Sequence, residues 1–204
     1  FWLAERGDAE NLADSARKEL EYMKGFEIGH GFLELCQTMV GGLLARSGDF
    51  AGAEKILLAA LKISKQKKAR QSICGILLQL INLFYSTGDE KRCKDSLRQW
   101  ARLAEENHYV YFWEADRLTL VRACALAYQY NCRREYTKKI IELYYGKEAA
   151  LRLQCEPDVL AQHPDALTEL RQDRTTAKKR ISIKLFGHFE ITADEIKITE
   201  EAFK

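Results

Sequence analysis

The chain has 204 residues, of which 30% are charged, and its formal net charge is +2. This near balance of charge gives no sign of a general nucleic-acid-binding surface, and only two prolines favour a soluble, mostly helical protein. No apolar run approaches the roughly 20 residues that a membrane-spanning helix needs. The sequence starts at Phe1 without a signal peptide, so we expect a cytoplasmic piece of a longer protein.

A Gly-Asp dipeptide recurs about every 40 residues, each time between two helix-like apolar runs. The copies are Gly7-Asp8, Gly48-Asp49 and Gly88-Asp89, and a degenerate fourth copy is Asn131-Cys132. A glycine can adopt the positive φ that ends one helix, and an aspartate can cap the next. Asparagine tolerates the same left-handed region, so Asn131 can replace the glycine. The repeat therefore predicts a series of antiparallel helical hairpins.

In chain order, the apolar periodicity predicts helices over 8–24, 29–47, 50–65, 69–87, 90–107, 110–130, 133–145, 147–154 and 158–173. Positions five, nine and twelve after the turn glycine lie on one face of the second helix, which we expect to be buried. Position five holds Leu12, Ala53, Cys93 and Tyr136 in the four copies. Position nine holds Ala16, Leu57, Leu97 and Ile140, and position twelve holds Glu19, Ala60, Trp100 and Leu143. Only Glu19 breaks the apolar set.

These repeats resemble the tetratricopeptide family, in which small residues let paired helices pack closely. The copy around Gly48 has Gly41, Ala53 and Ala60 at the small-residue positions. The later copies depart from the motif, with Ile81, Cys93 and Trp100 and then Cys124, Tyr136 and Leu143, and the proline that usually ends a repeat is missing. Longer repeats without proline look like the helical signalling domain of maltose-regulator-type bacterial transcription activators. The resemblance covers residues 1–155 and implies an α-solenoid, a right-handed superhelix of helical hairpins.

A connecting segment, residues 156–180, follows the repeats. It holds both prolines, Pro157 and Pro164, and a basic run between Arg171 and Arg180. We interpret this segment as a connecting helix and linker.

The pattern changes to period two after Arg180, where Ile181 to Phe186 alternates apolar and polar residues. Alternation resumes at Phe189 and again at Ile196, so residues 181–204 predict a short antiparallel β meander. The Phe186-Gly187 step and the strings around it resemble the opening sheet of the winged-helix DNA-binding domain of response regulators. They are particularly similar to its version in transcriptional activators of the antibiotic-regulator kind. The resemblance implies a mostly α chain that ends in the truncated first sheet of that domain.

Motifs of known chemistry are missing from the sequence. There is no phosphate-binding glycine loop and no Gly-x-Ser-x-Gly turn, and the four histidines are widely separated. The six cysteines form no Cys-x-x-Cys pair, so we expect free thiols at core positions. We therefore predict a non-enzyme with no catalytic residue, no metal and no cofactor.

If the array curves as tetratricopeptide arrays do, the first helix of each hairpin lines a concave groove. Residues shortly before each turn then point inward, and a mix of polar and aromatic side chains suits a peptide or a small ligand such as a sugar. The predicted groove residues are Arg46, Asn82, Tyr85, Tyr128 and Gln129. The alternative is that these side chains only satisfy neighbouring helices.

Two stretches of the sequence are strongly basic. Lys62 to Arg70 contains five positive charges and no acid, which suits either a solvated helix end or a docking patch for phosphate or an acidic partner. The second stretch adjoins the predicted DNA-binding sheet, where it is either a solvated linker or a contact to the DNA backbone. Its candidate residues are Arg171, Arg174, Lys178, Lys179 and Arg180.

These patterns favour a non-catalytic signal-sensing and protein-interaction segment of a bacterial transcriptional regulator. Its expected partners are a protein, peptide or small-molecule effector in the groove, and DNA through the full-length protein. Self-association of array ends is a further possibility, and no membrane partner is expected. The alternatives are a stand-alone tetratricopeptide scaffold or adaptor and an intracellular peptide receptor.

Overall fold

Between residues 32 and 162, the described chain forms eight helices. They are α1 (Phe32–Arg46), α2 (Phe50–Gln66), α3 (Arg70–Ser86), α4 (Glu90–Glu106), α5 (Arg117–Gln129), α6 (Arg134–Tyr145), α7 (Lys147–Cys155) and α8 (Pro157–Gln162). The computed structural model describes residues 14–15, 17–18, 21–22, 32–112 and 115–167, and the backbone of 181–184, 190–193 and 196–199. The described chain is mostly helical, as predicted.

The helices are arranged as antiparallel hairpins in two rows. The most extensive packing is that of α1 on α2 and of α3 on α4, and α5 packs on α6 in the same way over a smaller contact. The first helices also contact one another, α1 with α3 and α3 with α5, and α8 continues that row against α5. The predicted groove residues belong to this row, which we call the inner row. The second helices, α2, α4 and α6, form the outer row.

The turns within the hairpins have the left-handed residue that the sequence predicts. Gly48 has φ +87°, Gly88 has φ +73° and Asn131 has φ +57°. In each turn the following residue closes the helix by donating its N–H to a carbonyl five residues back, as when Asp89 N bonds to Phe84 O at 2.9 Å. This bond satisfies one of the carbonyls that a helix end would otherwise leave free.

The turns between the hairpins have the same geometry without a glycine. Lys68 and His108 both have φ +55°, and Ala69 N donates to Ser64 O at 3.0 Å as in the Gly-Asp turns. Left-handed residues therefore follow one another about 20 residues apart, at 48, 68, 88 and 108. Neither lysine nor histidine marks a left-handed turn as clearly as glycine does, so the sequence predicts only every second one of these turns.

Aspartate side chains cap the helices that follow several turns. Asp49 accepts a hydrogen bond from Gly52 N at 2.9 Å, and Asp89 accepts one from Arg92 N at 3.0 Å. Both caps confirm the prediction from the Gly-Asp dipeptide. Helix α6 differs, because it follows Arg133 at φ +55° and has no side-chain cap.

The predicted buried positions are correct for the first two described hairpins. Ala53, Leu57, Ala60, Leu97 and Trp100 are all fully buried. In the third hairpin the prediction is wrong for Leu143, which is 63% exposed. The other two predicted positions, Tyr136 and Ile140, are buried, and the buried face of α6 also includes Thr137, Ile141 and Tyr145. Helix α6 starts one residue later after its turn than α2 and α4 do.

Two predicted helices have different bounds in the structure. The helix predicted over 110–130 begins at Arg117, because residues 109–112 are not helical and Asp116 caps the helix through Thr119 N at 2.8 Å. The helix predicted over 158–173 is interrupted after Gln162, where Pro164 lies in a turn, and Ala166 and Leu167 are helical again. The prediction over 8–24 falls mostly on residues outside the described ones.

The chain divides into two compact units, Phe1–Leu167 and Thr168–Lys204. In the second unit the structure places three strands, β1 (Ile181–Lys184), β2 (Glu190–Ala193) and β3 (Ile196–Thr199). They pair antiparallel in the order β1-β2-β3, with Ile191 opposite both Ile183 and Ile198.

Candidate functional site

The candidate site is the inner row, where the predicted groove residues lie on three helices. Arg46 ends α1, Asn82 and Tyr85 lie on the last turns of α3, and Tyr128 and Gln129 end α5. The fold therefore places all five at corresponding ends of neighbouring helices. The structure shows which of them share contacts.

Arg122 of α5 brings two of the predicted residues together. Its Nη1 donates a hydrogen bond to Asn82 Oδ1, and its guanidinium lies over the Tyr85 ring, 5.2 Å from the centroid. Its Nε donates to the carbonyl oxygen of Ala161 in α8 at 2.9 Å. One side chain thus joins α3, α5 and α8, which are consecutive helices of the inner row.

The charge of Arg122 lies in a partly buried environment. Burial lowers the pKa of its guanidinium, and the nearby Tyr85, Asp116 and Asp165 partly offset this effect. The direct acceptors named above are neutral, and cation–π contact with a tyrosine ring stabilises a guanidinium only modestly. The direct contacts of Arg122 are therefore neutral, and acidic groups compensate its charge only at longer range.

A second contact crosses the inner row from α1 to the start of α5. Arg46 Nη2 lies 2.9 Å from Asp116 Oδ2, and the Asp116 side chain is only 7% exposed. The same carboxylate accepts from Thr119 N at 2.8 Å and from Thr119 Oγ1 at 3.1 Å, so it also caps α5. This ion pair, which we call the Arg46–Asp116 clasp, links two helices that are not sequential partners.

The last two predicted residues lie apart from this network. Arg134 Nε donates to the carbonyl oxygen of Tyr128 at 2.8 Å, and its guanidinium is 5.0 Å from the Tyr128 ring centroid. Gln129 is exposed. The structure thus groups Arg46, Asn82 and Tyr85 through Arg122 and Asp116, and directs Tyr128 toward the start of α6.

The sequence analysis missed Arg122 and Asp116. Arg122 is the one charged residue inside the apolar run from Leu118 to Ala127, which is a signal that the sequence does contain. Its partners are about 40 residues away on either side, so no local pattern could name them. The helix predicted over 110–130 places Asp116 in its interior, and a residue in a helix interior does not cap that helix.

A small cavity adjoins the inner row beside Tyr85. It has a volume of about 170 Å³ and is lined by Phe84, Tyr85, Gly88, Glu90, Cys93 and Tyr130. Burial, together with the charges of Asp89 and Glu90, raises the pKa of the Cys93 thiol to about 11. The thiol is therefore protonated at neutral pH and is not an activated nucleophile.

The candidate DNA-backbone residues Arg171, Arg174, Lys178, Lys179 and Arg180 lie outside the described residues. Among the residues that the structure does describe, no group of three or more His, Cys, Asp or Glu side chains is arranged to hold a metal ion. None of the helices in that part of the chain combines the length and hydropathy needed to cross a membrane.

Comparison with known proteins gives no family assignment, because no protein-family model, curated protein or solved structure matches this chain.

Proposed function

We propose that this chain is a non-catalytic signal-sensing and protein-interaction segment of a bacterial transcriptional regulator that acts in the cytoplasm. Binding in the inner-row groove, or contact between arrays, would be coupled to an attached winged-helix DNA-binding domain. The helical hairpins correspond to a tetratricopeptide-like right-handed superhelix, and residues 181–204 to the opening β meander of the winged helix.

The observation that carries this proposal is the order of parts along one chain. Regular helical hairpins come first, then the basic residues between Arg171 and Arg180, and then the alternating segment in which β1, β2 and β3 pair. Basic residues beside a DNA-reading element supply affinity for the phosphate backbone. This order supports a sensor joined to a DNA reader better than an isolated scaffold.

The polar network on the inner row supports a sensing role. A ligand shifts a conformational equilibrium only if it binds one arrangement better than the other. Asn82, Tyr85 and Arg122 offer an amide, an aromatic ring and a guanidinium within one connected set of contacts. A ligand that replaces one of these contacts would alter the packing of α3, α5 and α8 against each other.

DNA binding by the full-length natural protein tests this proposal. We expect specific binding to duplex DNA by the whole protein, and only weak, strongly salt-dependent binding by the 204-residue chain. In the whole protein, Lys178→Ala, Lys179→Ala and Arg180→Ala together should lower the affinity for all sequences alike and reduce its salt dependence. Failure of the whole protein to bind any DNA would contradict the proposal.

The alternative from another class is a stand-alone scaffold, or an intracellular peptide receptor, whose last strands only cover an edge. The amide and aromatic side chains of Asn82 and Tyr85 favour it, since such groups suit peptide contacts. The residues that follow Lys204 in the natural gene separate the two functions. A basic amphipathic helix followed by a β-hairpin would favour the DNA-binding function.

A further inference from the structure

One stretch of the chain is entirely free of acidic residues. From Lys55 to Gly88 the sequence contains no aspartate and no glutamate. The same stretch carries six cations, which are Lys55, Lys62, Lys65, Lys67, Lys68 and Arg70. These residues lie on α2 of the outer row, on the turn that follows it and, for Arg70, at the first position of α3.

Several cations of α4, the next helix of the outer row, have acidic partners. On α4, Lys94 pairs with Glu90 at 2.5 Å and Arg98 with Asp95 at 3.1 Å, and Arg92 pairs with both Glu54 and Asp89. Such ion pairs compensate the positive charge along successive turns of α4. Compared with this ion pairing on α4, the lack of acidic partners among the described residues for the lysines of α2 is unusual.

The cations of the acid-free stretch are mostly left without this compensation. Lys67 pairs with Glu34 of α1, and Arg70 donates to the neutral Asn107 Oδ1 at 2.8 Å. Lys62, Lys65 and Lys68 are exposed and make no ion pair within the part of the chain that the structure describes. The end of α2 is therefore a patch of uncompensated positive charge.

A large apolar side chain lies inside this patch. Lys55, Leu58, Lys62 and Lys65 are spaced by three, four and three residues, which places them on one stripe of α2. Leu58 is 43% exposed between the lysines. We call Lys55, Leu58, Lys62, Lys65 and Lys68 the basic face.

The basic face costs stability within the chain. Lysines three residues apart on a helix repel each other by a few tenths of a kcal/mol. An exposed leucine keeps apolar area in water that a partner could cover. Both costs disappear when an acidic surface with an apolar side chain covers this face, which defines the complementary partner by charge and by hydrophobic contact.

We propose that the basic face docks an acidic segment of a partner protein, a helix rich in glutamate or aspartate with large apolar side chains on one side. The partner's carboxylates pair with Lys62, Lys65 and Lys68, and an apolar side chain covers Leu58. Duplex DNA would also satisfy the lysines, but its backbone offers no apolar group to Leu58. This surface lies on the outer row and does not depend on the proposed DNA-binding function.

Fluorescence anisotropy with the 204-residue chain tests the proposal. The probe is a labelled synthetic helical peptide, rich in glutamate, with leucine at every third or fourth position. A matched peptide has serine in place of each leucine, and a random-sequence DNA duplex is the third probe. We expect the leucine peptide to bind in a salt-dependent way and the serine peptide to bind about tenfold more weakly.

Variants of the basic face then assign the binding to a surface. Leu58→Ser, and separately Lys62→Glu with Lys65→Glu, should each weaken binding of the leucine peptide about tenfold or more. Matched controls on α6 are Leu143→Ser, which removes another exposed leucine, and Lys138→Glu with Lys139→Glu. These controls should leave peptide binding unchanged, and all variants should keep the helical circular dichroism of the parent chain.

Three outcomes would overturn the proposal. One is no binding of the leucine peptide at low salt, and another is equal binding of the leucine and serine peptides. The third is duplex binding that is lost in Lys62→Glu/Lys65→Glu while Leu58→Ser changes nothing, which would make this face a nucleic-acid surface. None of these results bears on whether the whole protein recognises specific DNA, so the two proposals fail independently.

Discussion

In the hairpin α1/α2 the helices meet through small residues, whereas in the hairpin α3/α4 they meet through larger ones. A Cβ added to Gly41 would lie only 2.5 Å from Leu57 Cγ, so the backbone of α1 rests directly on that leucine. At the position of Gly41, α3 has Ile81, and at the position of Ala60, α4 has Trp100, which is fully buried and packs against Phe112 and Tyr136.

The turns of these two hairpins are nevertheless the same. Both have a left-handed glycine followed by a capping aspartate, with nearly identical hydrogen bonds. The difference teaches that the turn sets the direction of the second helix, while the residues between the helices set how closely they approach. Substitutions in the interiors and in the turns can separate these two contributions.

The largest effect is expected for Trp100→Ala in the second hairpin. Removing this buried ring should lower the free energy of unfolding by about 3–5 kcal/mol, because a cavity would remain between Phe112 and Tyr136. Chemical denaturation of the 204-residue chain measures it, with Ala60→Gly at the corresponding position of the first hairpin as a milder control. A loss below about 1 kcal/mol would mean that the site collapses freely.

Gly41→Ala should destabilise the first hairpin by about 1–3 kcal/mol, because the steric conflict with Leu57 outweighs the better helix propensity of alanine. The same denaturation assay measures it. A second variant that adds Leu57→Ala should show less destabilisation than the sum of the two single changes, because the shortened side chain makes room. Strict additivity would contradict close packing between Gly41 and Leu57.

Gly88→Ala is also a glycine-to-alanine change, but we expect it to destabilise the chain for a different reason. No atom lies within 4 Å of the added Cβ, but the residue has φ +73°, so we expect a loss of roughly 1–2 kcal/mol from backbone conformation alone. Thermal unfolding measures this loss, and Gly88→Asn should recover part of it, since asparagine is accepted at the matching turn residue Asn131. Equal stability of the alanine and glycine chains would disprove the conformational argument.

The smallest expected effect is that of Asp89→Asn, which keeps a side chain able to cap α4 but removes its charge. Hydrogen bonds from the Arg92 backbone N–H and side chain lower the pKa of the Asp89 carboxyl. A lowered folded-state pKa contributes stability that is present above the unfolded value, about 4, and is lost as the pH falls through the folded value.

The melting temperatures of the parent chain and Asp89→Asn should therefore differ at pH 7 and converge as the pH falls below about 4. In the first hairpin the corresponding partner position is Gly52, which has no side chain to pair with Asp49. A difference between the two chains that stays constant down to pH 2 would show that the charge of Asp89 contributes nothing.

Sequence reasoning found the features that local chemistry dictates. Gly48, Gly88 and their aspartates were predictable, because few residue types take a left-handed φ or cap a helix. The left-handed Lys68 and His108 were not, since neither residue type marks that conformation as clearly as glycine does. The exposure of Leu143 was not predictable, because α6 starts one residue later after its turn and its buried face includes Tyr145 instead of Leu143, while Tyr136 and Ile140 stay buried.

For the candidate site, the sequence predicted which helices would contribute but not how their side chains would connect. Arg46, Asn82 and Tyr85 were named from their distance to the turn. Arg122 and Asp116 contact them across about 40 or more residues of the sequence. A single sequence contains no local pattern that reveals contacts at such a separation.

The Arg46–Asp116 clasp has a consequence for cooperativity. In an ideal helical array each repeat interacts only with its neighbours, so unfolding can spread gradually from one end. The clasp joins the first described hairpin to the third, which adds an interaction between second neighbours. If the hairpin α1/α2 or the hairpin α5/α6 separates from the array, this ion pair breaks, and the hairpin α3/α4 cannot replace it. The clasp therefore favours unfolding of the three hairpins as one unit.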